Sequence, residues 1–205
     1  MITLKESLLD DFRSQADDLK RYKMIENWLK ENNKEKHAKF KISKDFTINI
    51  DEFSYNGKGN FPEYIQFDKC TNNFILEDCD MTSLRGCPKE VGGSFSCHGN
   101  KLTSLEYSPE YVEMDYVCSR NKLETLKGMP TEIIWGDFVC DHNQLTDLKG
   151  GPHEVASDYY CNNNKLKTLD GAPTGVRGDF ICSNNPLSSW EVARLANKVD
   201  YSIIF

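Results

Sequence analysis

Between residues 91 and 190 the apolar positions come in short alternating bursts, not long runs. Phe95 and Cys97, Tyr116 and Cys118, Phe138 and Cys140, Tyr159 and Cys161, and Phe180 and Cys182 each enclose a single residue. That step of two is the period of a strand with one face turned inward. The cysteines stand 21, 22, 21 and 21 residues apart, and an Asn follows each of them by three: Asn100, Asn121, Asn143, Asn164 and Asn185. Leucine pairs come next, at Leu102/Leu105, Leu123/Leu126, Leu145/Leu148 and Leu166/Leu169. The unit therefore reads V-x-x-x-[FY]-x-C-x-x-N-x-L-x-x-L, with copies starting at Val91, Val112, Ile134, Val155 and Val176. A fixed period of this kind marks stacked units, none of which can bury its apolar side alone. The Asn amide falls where the chain turns inward and is placed to bond the backbone of adjacent coils.

A degenerate sixth copy precedes these: Phe74, Leu76, Cys79, Met81, Leu84 and Pro88 match at the same offset, with Cys79 at the Asn position. The last copy departs from the pattern at Leu187 and Trp190. Over roughly residues 70 to 190 the units resemble leucine-rich repeats, L-x-x-L-x-L-x-x-N-x-L, in a short variant with an aromatic and a Cys at the strand positions. In style they are similar to repeat proteins of bacteria and their phages. The resemblance implies an α+β solenoid: a curved parallel sheet on the concave side, short irregular connectors on the convex side, and use as a protein-binding scaffold.

Outside the array, Leu4, Leu8, Leu9 and Phe12, then Leu19, Tyr22, Ile25 and Leu29, lie at helical spacing. One broken or two short amphipathic helices are expected there, as an N-terminal cap over residues 1–36. Phe46, Ile48 and Ile50 alternate with polar residues and predict a capping strand, followed by a turn over residues 56–59, in a β-containing region spanning 37–69. Ser188 with Glu191 makes a capping-box pattern ahead of a final helix in a C-terminal cap over 188–205. The apolar tail Tyr201 to Phe205 is expected to cover the last repeat.

Charge narrows the function classes. Residues 1–45 carry 11 Lys/Arg against 9 Asp/Glu, leaving 14 against 23 for the remainder. An acidic body argues against binding nucleic acid and for a basic partner. No apolar run approaches a membrane span and the N-terminus is charged within five residues, so a cytoplasmic protein is expected, the host cytoplasm if phage-encoded. The eight cysteines read as small buried hydrophobes, because five of them alternate with inward aromatics. His37, His98, His142 and His153 share no metal-ligand spacing, and neither a phosphate loop nor a Ser/His/Asp order is evident. No enzyme, metal or cofactor is expected.

Positions flanking the inward residues build columns across the copies, about 4.8 Å per strand. The column before the aromatic is Asn73, Ser94, Asp115, Asp137, Asp158, Asp179, and the one after it is Ile75, Ser96, Val117, Val139, Tyr160, Ile181. Two mixed polar columns follow: Glu77, His98, Ser119, Asp141, Asn162, Ser183, and Asp78, Gly99, Arg120, His142, Asn163, Asn184. Like charges on neighbouring strands repel and an outward β-branched stripe gains nothing from water, which points to a contact surface. The alternatives are strand propensity for the stripe and, for the Asp column, carboxylates bonding backbone amides where the strand starts. Six strands with four outward positions offer about 24 residues, the size of one side of a standard interface. The candidate partner-binding residues are Asp115, Val117, Arg120, Asp137, Val139, Asp141, His142, Asp158, Tyr160, Asn162, Asp179 and Ile181. The partner expected is another protein, with an apolar anchor beside Lys or Arg, bound by a monomer. A phage-encoded inhibitor of a host or defence protein is the concrete form of this expectation. A self-assembling structural protein and an adaptor in a larger complex are the alternatives.

Overall fold

The computed structural model of the chain describes residues 4–130, 134–196 and 202–205, with side chains from Arg13 onward. It is a parallel β-solenoid of about seven turns with a helix at each end. Each repeat contributes a two- or three-residue strand to one long sheet. These run from Phe53–Ser54 through Phe74–Ile75, Phe95–Ser96, Tyr116–Val117, Phe138–Val139 and Tyr159–Tyr160 to Asp179–Ile181. Equivalent residues pair in register: Phe74 with Phe95, Phe95 with Tyr116, and Phe138 with both Tyr116 and Tyr159.

The repeat positions explain this stacking. Every inward aromatic rests on the next, from Phe53 to Phe180, with ring centroids 4.9 to 6.3 Å apart. Cysteines and leucines fill the layers on either side, and all eight thiols are free and buried. Buried backbone groups need partners, and the Asn column supplies them. Asn121 Nδ2 donates to Cys97 O (2.9 Å) on the preceding coil and to Cys118 O (3.1 Å) on its own, while its Oδ1 accepts from Leu102 N (3.0 Å). Asn100, Asn143, Asn164 and Asn185 repeat the arrangement. Where Cys79 replaces Asn, its thiol faces the corresponding carbonyls, Tyr55 O at 3.7 Å and Glu77 O at 3.1 Å.

The connector side is more regular than the expected irregular loops. A second set of parallel pairings runs through Cys70, Val91 and Val112, and through Ile134, Val155 and Val176, all buried. The first residue of the repeat thus belongs to a second ladder, separated from the long sheet by a bend at Gly92–Gly93 and its equivalents.

At the N-terminal end one continuous helix, α1 (Leu4–Asn32), replaces the broken or paired helices expected. It contains no Gly or Pro, and only Ile25 is β-branched, so nothing interrupts it. Its last turns bury Ile25, Trp28 and Leu29, whereas Leu19 is 58% exposed and Tyr22 37%. The side chains of Leu4, Leu8, Leu9 and Phe12 lie outside the described residues. Phe40–Ile42 and Ile48–Ile50 form an antiparallel hairpin. Phe46 is in its turn, not in the strand, with φ 68° and its ring beneath the Arg21 guanidinium, 4.2 Å from the centroid. The long sheet also starts earlier than residue 70: Phe53 and Tyr55 take the aromatic and Cys positions of a first coil, and Phe53 pairs with Phe74.

At the other end α2 (Ser189–Ala196) is capped by Ser188, whose Oγ accepts from Glu191 N at 3.3 Å. The Glu191 carboxylate does not close the box. It turns to the preceding coil, accepting from Leu169 N (3.1 Å) and from Arg194 (2.9 Å). Trp190 is 67% exposed and is no core residue; Val192 is buried in its stead. The tail joins the long sheet as its eighth strand, Ser202–Ile204, parallel to Asp179–Ile181; Tyr201 lies outside the described residues. Among the described residues no helix is long and apolar enough to cross a membrane.

Candidate functional site

The outer face of the long sheet gathers all twelve candidate residues. The strand periodicity that buries Tyr116 and Cys118 turns Val117 outward, and the same holds for Val139, Tyr160 and Ile181. These four are half-buried by their neighbours and form a continuous stripe, in register across adjacent strands. Ser96, in the same column, is buried, its Oγ donating to Glu77 Oε1 at 2.7 Å.

The acidic column is a hydrogen-bonded ladder as well as a row of charges. Asp115 Oδ1 accepts from Asp137 N (2.9 Å), Asp137 Oδ1 from Asp158 N (3.0 Å) and Asp158 Oδ1 from Asp179 N (2.8 Å). Asn73 does the same for Ser94 N at 2.9 Å with a neutral amide. Asp115 and Asp158 each tuck under a glycine of the next coil, since a Cβ on Gly136 would lie 2.1 Å from Asp115 Oδ1 and one on Gly178 2.0 Å from Asp158 Oδ1; the equivalent position after Asp137 is Ser157. One oxygen each of Asp115, Asp137 and Asp158 is thus committed to the fold. The second oxygen of Asp115 accepts from Ser94 Oγ (3.1 Å) and that of Asp158 from the Tyr160 hydroxyl (2.8 Å). That bond, with desolvation and the charges of Asp158, Asp137 and Asp179, pushes the Tyr160 phenol up to about 12. Asp179 is exposed, and the other three Asp are half-buried.

On the far side of the stripe, Asp141 pairs with His142 Nδ1 and Asn162 is half-buried. The last column has a conformational signature: Asp78, Gly99, Arg120, His142, Asn163 and Asn184 all have φ between 52° and 68°. Left-handed backbone suits Gly, Asn and Asp. Arg120 does not belong to that group, is exposed, and among the described residues makes no side-chain hydrogen bond or ion pair.

No protein-family model, curated protein or solved structure matches the chain. What the face can do therefore rests on its own chemistry. Burial pushes the ladder thiols up, Cys97 to about 12, and those of Cys118, Cys140 and Cys161 well above the ordinary range. They are protonated small hydrophobes, not nucleophiles. His98 Nδ1 lies 2.7 Å from Ser119 Oγ, but Ser119 is 3% exposed, so its hydroxyl is closed to a substrate. Among the described residues no cluster of three His, Cys, Asp or Glu side chains could hold a metal ion.

A second exposed apolar group escaped the column reading. Tyr111, Met114 and Trp135 are 43 to 52% exposed on the second ladder and the bend beside it, and Tyr107, 56% exposed, is in the turn that precedes that strand. Met114 and Trp135 are on adjacent coils, joined where Gly136 N donates to Met114 O at 3.3 Å. The positions flanking Val91, Val112 and Ile134 form columns too, and these hold Tyr111, Met114 and Trp135.

Proposed function

We propose that the chain is a non-enzymatic protein-binding module of leucine-rich-repeat type, acting in the cytoplasm, which holds its partner on the outer face of the long sheet. The observation carrying this reading is the half-exposed stripe Val117, Val139, Tyr160 and Ile181, bordered on one side by four Asp and on the other by Arg120 and His142. Interfaces have an apolar centre inside a polar, charge-matched rim, and this face has that layout. The partner is a protein presenting an apolar anchor with Lys or Arg on the Asp side. Blocking of a host or defence protein, on behalf of a phage, is the form of action we favour.

The hydrogen-bonded ladder changes how the acidic side is tested. Asp137→Lys would remove the acceptor for Asp158 N, whereas Asp137→Asn keeps it, as Asn73 does natively. Affinity capture with quantitative mass spectrometry, run on wild type, Val139→Asp and Asp137→Asn/Asp158→Asn, tests the reading. A specific protein should be enriched by wild type and lost with both folded variants. Equal recovery by all three would remove the face from consideration.

A further inference from the structure

The two ends of the long sheet are finished differently. At the first strand the open edge is closed by the chain itself. Lys34 N donates to Ser54 O (2.7 Å) and Asn56 N to Asn32 O (3.1 Å), while Asn33 Oδ1 accepts from Ser54 N (2.9 Å) and Asn33 Nδ2 donates to Glu52 O (3.2 Å). At the last strand, Ser202–Ile204, nothing described does this. Backbone groups of successive strand residues point to opposite sides, and Cys182 N donates to Ile204 O (2.7 Å), so Ser202 and Ile204 face back into the sheet. The N–H and C=O of Ile203 are therefore turned outward, and among the described residues they meet no partner.

Edge strands are ordinarily blunted with Lys, Pro or a bulge. The sequence from Ser202 to Phe205, SIIF, has none of these; Ile204 and Phe205 are 46% and 60% exposed, and Trp190, on the helix α2 that contacts this strand, is 67% exposed. The charge pattern is also unusual for a chain of net charge −7. From Ser183 onward the sequence carries two acidic side chains, Glu191 and Asp200, and two basic ones, Arg194 and Lys198, so its charges cancel, and Glu191 pairs with Arg194 at 2.9 Å. This is the end at which two acidic molecules approach with least repulsion.

We propose that this end binds a second copy of the chain, the two Ser202–Ile204 strands pairing antiparallel about a two-fold axis at Ile203 and joining their long sheets into one. The exposed groups demand a strand as occupant. The sealed first strand denies the edge a head-to-tail neighbour, so association closes at two copies. In the antiparallel pair Ile203 exchanges both its hydrogen bonds with Ile203 of the other copy, and Ser202 of each stands opposite Ile204 of the other, about 5 Å apart. The inference is independent of the partner-binding face, which points in a different direction.

Light scattering coupled to size exclusion, over a dilution series, reads the result directly. Wild type should show twice the 23.5 kDa of one chain. Ser202→Lys/Ile204→Lys sets Lys opposite Lys across the axis and should give the single-chain mass. Ser202→Glu/Ile204→Lys sets Glu opposite Lys and should recover the doubled mass, which a merely misfolded end would not do. Circular dichroism establishes that both variants are folded. A single-chain mass for wild type at every concentration, a species larger than two copies, or a doubled mass in the Lys/Lys variant would each overturn the proposal.

Discussion

Arg120 stands out at the scale of single residues, because its neighbours in the same column show what the backbone prefers. With φ 53° in a column otherwise made of Asp, Gly, His and Asn, its side chain is held against local conformational preference. Arg120→Asn should raise stability by about 0.5 to 1 kcal/mol in urea denaturation while weakening partner binding, the signature of a residue kept for contact. Asn143 is the opposite case. Its amide serves Cys118 O, Cys140 O and Leu123 N in the buried interior, and Asn143→Ala should cost about 3 kcal/mol by the same measurement. Tyr160 reports the acidic side. Its folded-state ionisation near 12 exceeds the ordinary value of 10.0, so the folded chain keeps a proton that the unfolded chain releases. Stability from this group is complete below pH 10 and is lost as pH rises towards 12. Ultraviolet titration should show Tyr160 among the late phenols, with the buried Tyr116 and Tyr55, and Asp158→Asn should return one of them towards 10.

Individual elements show why some of the architecture was readable in advance and some was not. The central coils were legible because Cys and Asn recur at a buried apolar position and at one that serves backbone groups of two coils. The first coil was not, since Tyr55 and Lys58 occupy those two positions and erase the signature, while Phe53 alone keeps its place. The second ladder was hidden for another reason: its Val or Ile has no recurring apolar partner two residues on, where Gly93, Met114, Gly136, Ser157 and Gly178 stand, so no strand alternation shows. Within the candidate site, the columns could be assembled from spacing. That the Asp carboxylates hold the next strand's amides could be offered only as an alternative, because the bond joins residues a full coil apart. The helix α1 was read from its apolar spacing, but which turns bury depends on the coil beneath. Trp28 stacks on Phe53 (6.1 Å) and Tyr55 (5.8 Å), so Trp28→Ala should destabilise by about 3 to 5 kcal/mol, seen as a lower urea midpoint. Leu19→Ala, on an exposed turn, should change it little.

For the whole molecule, the proposed function has the solenoid separate support from recognition. Aromatic, Cys, Leu and Asn columns hold neighbouring coils together, and stability in such a stack is the sum of coils and their nearest-neighbour contacts. The outer face is left free to vary from coil to coil, which is where Val117, Val139, Tyr160, Ile181, Arg120 and His142 are found. The second ladder offers a rival surface at Trp135 and Met114. The most direct test of the outer-face reading is the dissociation constant of the captured partner, measured by calorimetric titration against folded Tyr160→Ala and Trp135→Ala. A loss of about tenfold or more for Tyr160→Ala, with Trp135→Ala matching wild type, is the expected result. The reverse order would place recognition on the second ladder and contradict the account.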